Sequence, residues 1–232
     1  MLLLRGIYLN FLLNDMLTGG LRMAAINITR WNSALGIGRE FTQDMIEYTK
    51  LRKSEGATMA LVAAASGTPG VFWTMNRYED QSEADKDLES IFDSEAGKKR
   101  DEIQKKLAEK LIYTRAEIVV PMTNVPSEKP GAFNAMHLLP AKGRSRDFMP
   151  RARRVVDYMA DKGQTVGFIT ARSGNINRCW LFLAAKDQGD ADLIGKTNYE
   201  DPAFVNAWFD MVESLEATPE LQRGRLLLST RD

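Results

Sequence analysis

The strongest constraint on this fold is an internal repeat, because the chain matches itself when it is shifted by 107 residues. Residues 25–80 align without gaps on residues 132–187. The identities fall on glycines, turn residues and large aromatics, which backbone geometry and packing restrict most. They include Gly36 with Gly143, Gly56 with Gly163, Ser66 and Gly67 with Ser173 and Gly174, Trp73 with Trp180, and Asp80 with Asp187. The repeat predicts two copies of one structural unit.

Each copy carries the same order of signals: a strand, a helix, two strands joined by a turn, a second helical region and a last strand. In the second copy, Phe148, Ala152, Val155 and Met159 recur at helical spacing. The matching stripe of the first copy ends at Arg52, which we expect at the exposed end of the helix. The order predicts a ferredoxin-like βαββαβ unit, with a four-stranded antiparallel sheet and helices on one face.

Helix ends are also marked in the sequence. Gly56 and Gly163 stand where a helix ends, and glycine adopts the left-handed conformation found there without strain. Asp201 is positioned to cap a helix whose first residue is Pro202, since a missing N–H costs nothing at that position.

The domain boundaries follow from the repeat. We predict an N-terminal extension over 1–22, a first repeat over 23–121, a proline-punctuated linker over 122–131 and a second repeat over 132–232. The extension is either a short helix docked on the core or an artefact of gene calling, with translation starting at Met23. Each unit would leave one sheet face bare, and a bare apolar face must be buried. We therefore predict an α+β fold in which two ferredoxin-like βαββαβ repeats form an intramolecular α+β barrel.

This arrangement resembles the dimeric α+β barrel superfamily, which includes antibiotic-biosynthesis monooxygenases and NIPSNAP-like proteins. The likeness rests on the two repeats and on the helix opening Asp201, Pro202, Ala203 and Phe204 with Trp208. It covers residues 24–231 and implies a tandem fusion, in which one chain supplies what is usually a dimer. The resemblance implies a fold and leaves the function open, because fold alone does not define function.

Composition excludes some classes of partner. The formal net charge is zero, which argues against a general nucleic-acid-binding protein. A local basic cluster is best interpreted as the solvated face of a helix; it comprises Arg144, Arg146, Arg151, Arg153 and Arg154. The apolar N-terminal run is too short and too often interrupted to span a bilayer, so we predict no membrane partner.

Cysteine and histidine usage limits the chemistry. Cys179 is the only cysteine, which fits a reducing compartment and a cytoplasmic location; its aromatic neighbours suggest a buried, inert thiol. With one histidine as well, a zinc site is improbable. We predict no metal and no cofactor, and the sequence identifies no catalytic residue.

The candidate ligand pocket follows from the alternation of side chains along strands. We assign Ile26, Ile28, Phe133 and Ala135 to the face covered by helices, because that face should be the more apolar. The opposite residues then point into the barrel, where the matching tryptophans could stack a flat ligand and an arginine could attract an anion at the mouth. The predicted pocket residues are Asn27, Thr29, Trp31, Trp73, Asn134, Met136, Arg172 and Trp180. The alternative is that the asparagines bond within the protein and the tryptophans fill the core.

His137 falls on the helix side in this assignment, near a strand end, with Arg30 as its counterpart. It is either a histidine at the rim or in the core, or a haem ligand as in some members of the resembling superfamily. Three functions stay open. They are a small-molecule-binding protein or cofactor-independent oxygenase or isomerase with a small apolar or aromatic ligand, a non-catalytic interaction protein with a filled barrel, and a haem protein. We expect a monomer or a homodimer.

Overall fold

The computed structural model describes residues 24–65, 70–174 and 176–228. The predicted extension over 1–22 lies outside these residues, as does the Ser66-Gly67 turn. Within the described chain, strands and helices alternate in a mixed α+β fold. The strands are β1 Ala25–Asn32, β2 Thr58–Ala64, β3 Val71–Tyr78, β4 Ile112–Val120, β5 Ala132–Leu138, β6 Thr165–Ala171, β7 Cys179–Ala185, β8 Glu220–Gln222 and β9 Gly224–Leu228. The helices are α1 Gly38–Ser54, α2 Gln81–Ile91, α3 Glu95–Gln104, α4 Ser145–Asp161, α5 Gln188–Glu200 and α6 Pro202–Val212.

The strands close into a single antiparallel barrel. The order around the ring is β7-β6-β4-β1-β3-β2-β9-β5, and a pairing between β5 and β7 completes the circle. The short strand β8 also pairs with β5 and leads through Arg223 into β9. Two of the pairings, β4 with β6 and β2 with β9, join strands that are far apart in the sequence. The closed ring agrees with the predicted α+β barrel.

Local signals in the sequence explain where the helices begin and end. The Asp201 carboxylate accepts a hydrogen bond from the backbone N–H of Ala203 at 2.8 Å, and Pro202 is the first residue of α6, as predicted. Gly56 and Gly163 adopt φ angles of 93° and 76° directly after α1 and α4, which is the left-handed conformation expected of a residue that ends a helix.

The helices pack on the outside of the ring and form two separate cores with it. One core joins α1 and α3 to the strands around Trp31, Leu61 and Phe72. The other joins α4 and α6 to the strands around Leu138 and Phe168. The predicted stripe of α4 is buried in this second core, from Phe148 to Met159.

The prediction for Arg52 was wrong. Its side chain is only 2% exposed, because it makes hydrogen bonds to the carboxylates of Glu55 and Asp87 at 2.9 and 2.5 Å. These bonds satisfy the guanidinium inside the core, which a helical periodicity of apolar residues cannot reveal.

Cys179 lies at the start of β7 and is 3% exposed. Burial raises the pKa of its thiol to about 12. The thiolate, which is the reactive form, is therefore scarce at neutral pH. The prediction that this thiol is buried is confirmed.

Candidate active site in the barrel mouth

A cavity of about 460 Å³ opens at one end of the barrel. Strands β1 and β5 lie opposite each other in the ring and run in the same direction, because each is four antiparallel neighbours away from the other. Both strands therefore end at the same rim, where Arg30 and His137 line the cavity. The first residues of β3, β4, β7 and β8 complete this rim.

The inner wall of the cavity is apolar. It belongs to a core cluster inside the ring that includes Val62, Met75 and Phe182, with Ile28 and Phe133 packed against it. Several of these side chains keep partial solvent exposure, including Ile28 and Phe133. The barrel interior is therefore open at this end, which is where an eight-stranded ring can hold one small ligand.

Two tryptophans stand on opposite sides of the cavity. Trp73 on β3 and Trp180 on β7 both line it, and their strands are opposite each other in the ring. Trp73 is the cross-strand neighbour of Arg30, and Trp180 is the cross-strand neighbour of His137. Each indole thus lies beside a polar side chain of the rim.

His137 is held between two neighbouring strands. Its imidazole stacks on the Trp180 ring with centroids 5.7 Å apart, and its Nδ1 lies 3.8 Å from Glu220 Oε2. Burial lowers the pKa of His137 and the nearby Arg178 lowers it further, whereas Glu220 raises it. The imidazole is accordingly neutral at pH 7, the state in which it can accept a proton. The distance between Nδ1 and Glu220 Oε2 exceeds that of a direct hydrogen bond, so Glu220 acts on the imidazole through its charge.

The predicted pocket residues fall on both faces of the barrel wall. Trp73 and Trp180 line the cavity. Trp31 and Met136 instead face the helices: Trp31 packs on Tyr48 at 5.5 Å and donates a hydrogen bond to Thr74 at 3.0 Å, and Met136 packs on the core of α4.

The polar residues predicted to face the interior also lie outside the ring. Asn27 and Thr29 share the outer face of β1 with Trp31. Asn134 accepts hydrogen bonds from Gln188 Nε2 at 3.0 Å and from the backbone N–H of Gly224 at 3.2 Å. The alternative interpretation, that this asparagine bonds within the protein, is therefore the one observed for Asn134. Arg172 pairs with Glu117.

The two faces of β1 and β5 are thus reversed relative to our assignment. Ile28, Ala135 and His137 point into the barrel, whereas the large residues Trp31 and Leu138 are buried under the helices. The assignment assumed that the helix-covered face is the more apolar one. Near α5 that face is polar, because Gln188 forms a hydrogen bond with Asn134. The apolar residues of β1 and β5 therefore face the barrel interior.

Sequence reasoning missed Arg30, His137, Arg178 and Glu220 as cavity residues. The signal that could have found them is the burial of Trp31 and Leu138. Once these two large side chains are placed under the helices, the alternation puts Arg30 and His137 inside.

Haem ligation by His137 does not fit this arrangement. Nε2 is buried without a hydrogen-bond partner and without solvent-accessible space beside it. The imidazole face is covered by Trp180, and a porphyrin would have to share the interior with both indoles. Among the described residues, no group of histidine, cysteine, aspartate or glutamate side chains could hold a metal ion.

Comparisons with known proteins identify the fold. No protein-family model matches the chain, and no curated protein matches it. A solved structure from Fusobacterium nucleatum subsp. nucleatum, provisionally described as a monooxygenase, matches 90% of this chain and 94% of its own at 13% identity, with a TM-score of 0.71. One from Lactobacillus acidophilus NCFM, described in the same way, matches 87% and 93% at 10% identity, with a TM-score of 0.66. Chlorite dismutase from Candidatus Nitrospira defluvii matches 93% and 94% at 8% identity, with a TM-score of 0.56.

Over most of their length, these three structures share the fold of this chain. The chain therefore has an α+β barrel fold, as predicted. At such low identity the likeness establishes the fold and no activity. Across the described part of the chain, none of the helices combines the length and the apolar character needed to cross a membrane.

Proposed function

We propose that this protein binds a small, flat, largely apolar molecule in the barrel mouth and acts on it as an oxygenase or isomerase without a resident cofactor. The observation that carries the proposal is the open cavity, whose apolar wall is flanked by two indoles and a neutral imidazole. Ligand sites are typically concave, mostly apolar and supplied with a few polar groups. A barrel that served only for assembly would be filled by its own side chains.

His137 is the proton acceptor in this proposal. Its lowered pKa keeps Nδ1 free to take a proton from a bound ligand, and Glu220 stabilises the imidazolium that forms. The ligand anion is then reprotonated at another atom, which is an isomerisation, or reacts with dioxygen, which is an oxygenation. Two of the structural neighbours are described as monooxygenases, which supports the oxygenation.

The binding step is tested by closing the cavity. Ala135 lines it, so Ala135→Phe places a ring inside the mouth, whereas Ala203→Phe adds the same ring to an exposed position on α6. We expect aromatic compounds to raise the melting temperature of the native protein and of Ala203→Phe, and to have no effect on Ala135→Phe. Equal shifts in all three proteins would place the binding elsewhere.

The chemical step is tested with the compounds that bind. We expect the native protein to consume dioxygen or to isomerise a bound compound, and His137→Gln to bind it without turnover. Binding without turnover in the native protein would favour a non-catalytic binding protein over an enzyme.

We also propose that the barrel arose by tandem fusion of two ferredoxin-like βαββαβ units, spanning 23–121 and 132–232 with a linker over 122–131. The gapless repeat supports this origin, as does the order strand–helix–strand–strand–helices before the last strand of the first unit and before β8 and β9 in the second. One chain then supplies the whole ring, and a monomer suffices for the site.

Sedimentation of the purified protein distinguishes a monomer from a homodimer. Closer kinship with NIPSNAP-like proteins and a cytoplasmic location stay predictions.

A further inference from the structure

We infer that the molecule bound in the barrel mouth is an aromatic carboxylate, whose carboxylate is recognised at the rim by Arg30 and Arg178. This inference rests on the proposed function, because it names the class of ligand for the same cavity. The two arginines, the indoles and the apolar wall each contribute a separate part of the argument.

The first part is uncompensated positive charge. Arg30, Arg178 and Arg223 all line the cavity. The Arg223 guanidinium is neutralised by Asp192 at 2.7 Å, whereas neither Arg30 nor Arg178 forms an ion pair with any carboxylate in the described chain. Among the described residues, Glu220 is the single acidic residue of the lining, and its side chain is 75% exposed and faces His137. Counted over those residues, the rim carries one positive charge more than it carries negative charges.

The second part is the shape of the donor groups. A guanidinium presents its N–H groups as a planar fork that matches a carboxylate with two parallel hydrogen bonds. Arg30 sits on β1 beside Trp73, and Arg178 directly precedes β7, which carries Trp180. A flat ring between the two indoles would thus have guanidinium groups at its outer end.

The third part is the gradient of polarity along the barrel axis. The deeper wall is formed by Ile28, Val62, Met75 and Phe182, and the charged residues lie at the rim. A ligand with one ionised end must enter ring first, so that its carboxylate stays at the partly hydrated mouth. This orientation avoids the large cost of burying a charge away from water.

The test uses a matched pair of probes, 2-naphthoate and 2-naphthamide, which share the same rings and differ in charge. Titration calorimetry at pH 7.5 and low salt measures both against the native protein, Arg30→Gln, Arg178→Gln and the control Arg153→Gln. Arg153 is an exposed residue of α4 that pairs with Asp157, so its loss removes the same charge away from the barrel. Arg178 is exposed, so its substitution leaves the fold intact even if Arg30→Gln is unstable.

We expect 2-naphthoate to bind the native protein at least about tenfold more tightly than 2-naphthamide, since hydrogen bonds to charged groups are the stronger ones. Each cavity substitution should weaken 2-naphthoate about tenfold and leave 2-naphthamide unchanged. Arg153→Gln should match the native protein with both probes.

Two other results would overturn the inference. If both probes bind equally and Ala135→Phe abolishes both, the cavity binds aromatic molecules without reading charge, and the proposed function stands. If neither probe binds and no neutral aromatic compound raises the melting temperature, the inference and the proposed function fail together.

Discussion

The cores under α1 and α4 occupy corresponding places in the chain but differ in the residue that fills the last buried position of the helix. Phe41 and Phe148 are both fully buried and each packs on a phenylalanine of the barrel, at 5.5 and 6.2 Å. Eleven residues further along each helix, the first core places Arg52 and the second places Met159. These residues are 2% and 4% exposed.

The difference shows that a buried position in this fold can be filled either by an apolar or by a charged side chain of similar length. Met159 fills its position with apolar contacts. Arg52 fills the equivalent position with a charge, and Asp87 compensates that charge while also accepting a hydrogen bond from Tyr78 at 2.7 Å. A buried ion pair of this kind costs a large desolvation energy, so its net stabilisation is small even though its removal on one side is expensive.

The largest expected effect tests the feature that the two cores share, the fully buried phenylalanine of each helix. Phe41→Ala and Phe148→Ala should each lower the free energy of unfolding by about 4 kcal/mol, because both leave a cavity in a fully packed core. Urea denaturation measures both, with Leu35→Ala as the control, since Leu35 is 99% exposed. Losses that differ by more than about 2 kcal/mol would show that the cores are not equivalent.

The next effect tests the position at which the two cores differ, Arg52 in the first and Met159 in the second. Arg52→Met copies the second core into the first, but it strands the Asp87 carboxylate and should cost about 3 kcal/mol in urea denaturation. The double substitution Arg52→Met with Asp87→Leu should recover part of that loss, because it removes the stranded Asp87 carboxylate. Recovery stays partial because Glu55 loses Arg52 and the Tyr78 hydroxyl loses its acceptor.

Arg153→Met, at an exposed pair with Asp157, serves as the control and should cost under about 0.5 kcal/mol. A single Arg52→Met variant as stable as the native protein would mean that the ion pair is not needed.

The smallest effect concerns the rim, where Arg30 stands on one side and His137 on the other. The pKa of His137 is lowered in the folded protein, first by burial and then by Arg178. Its contribution to stability is complete above the unfolded pKa of about 6.5 and is lost as the pH falls toward the folded pKa, because the unfolded chain takes up the proton first.

Denaturation between pH 7.5 and pH 5 should therefore show a decline for the native protein that is shallower in His137→Gln. It should be steeper in Glu220→Gln, which removes the carboxylate that favours the charged imidazole. Parallel declines in all three proteins would contradict the assigned environment of His137.

Much of the architecture could be predicted because it depends on local signals. The helix stop at Gly163 and the cap at Asp201 follow from backbone geometry, and the stripe from Phe148 to Met159 follows from helical periodicity. The α+β barrel fold followed from the need to cover bare sheet faces. Helix capping and helical periodicity act within a few residues, and the burial of a bare face acts on a whole sheet.

The orientation of β1 and β5 could not be predicted in the same way. Both faces of each strand are covered, one by helices and one by the barrel interior, so alternation gives two sets without saying which is inside. The answer depends on long-range partners, such as Gln188 for Asn134 and Tyr48 for Trp31. The same dependence hid Arg52, whose partner Asp87 is contributed by another helix.

The pairing of β9 with β2 on one edge and of β8 with β5 on the other has a consequence for biosynthesis. Residues 220–228 form the seam of the barrel and leave the ribosome after every other strand described here. Until then β2 and β5 keep unsatisfied edges, and the mouth lacks the wall formed by residues 220–224. The core under α4 and α6 needs no residue of this segment, whereas the core under α1 gains Leu227 and Leu228 only when β9 docks. Sealing the ring, completing that core and acquiring the site are therefore the same event.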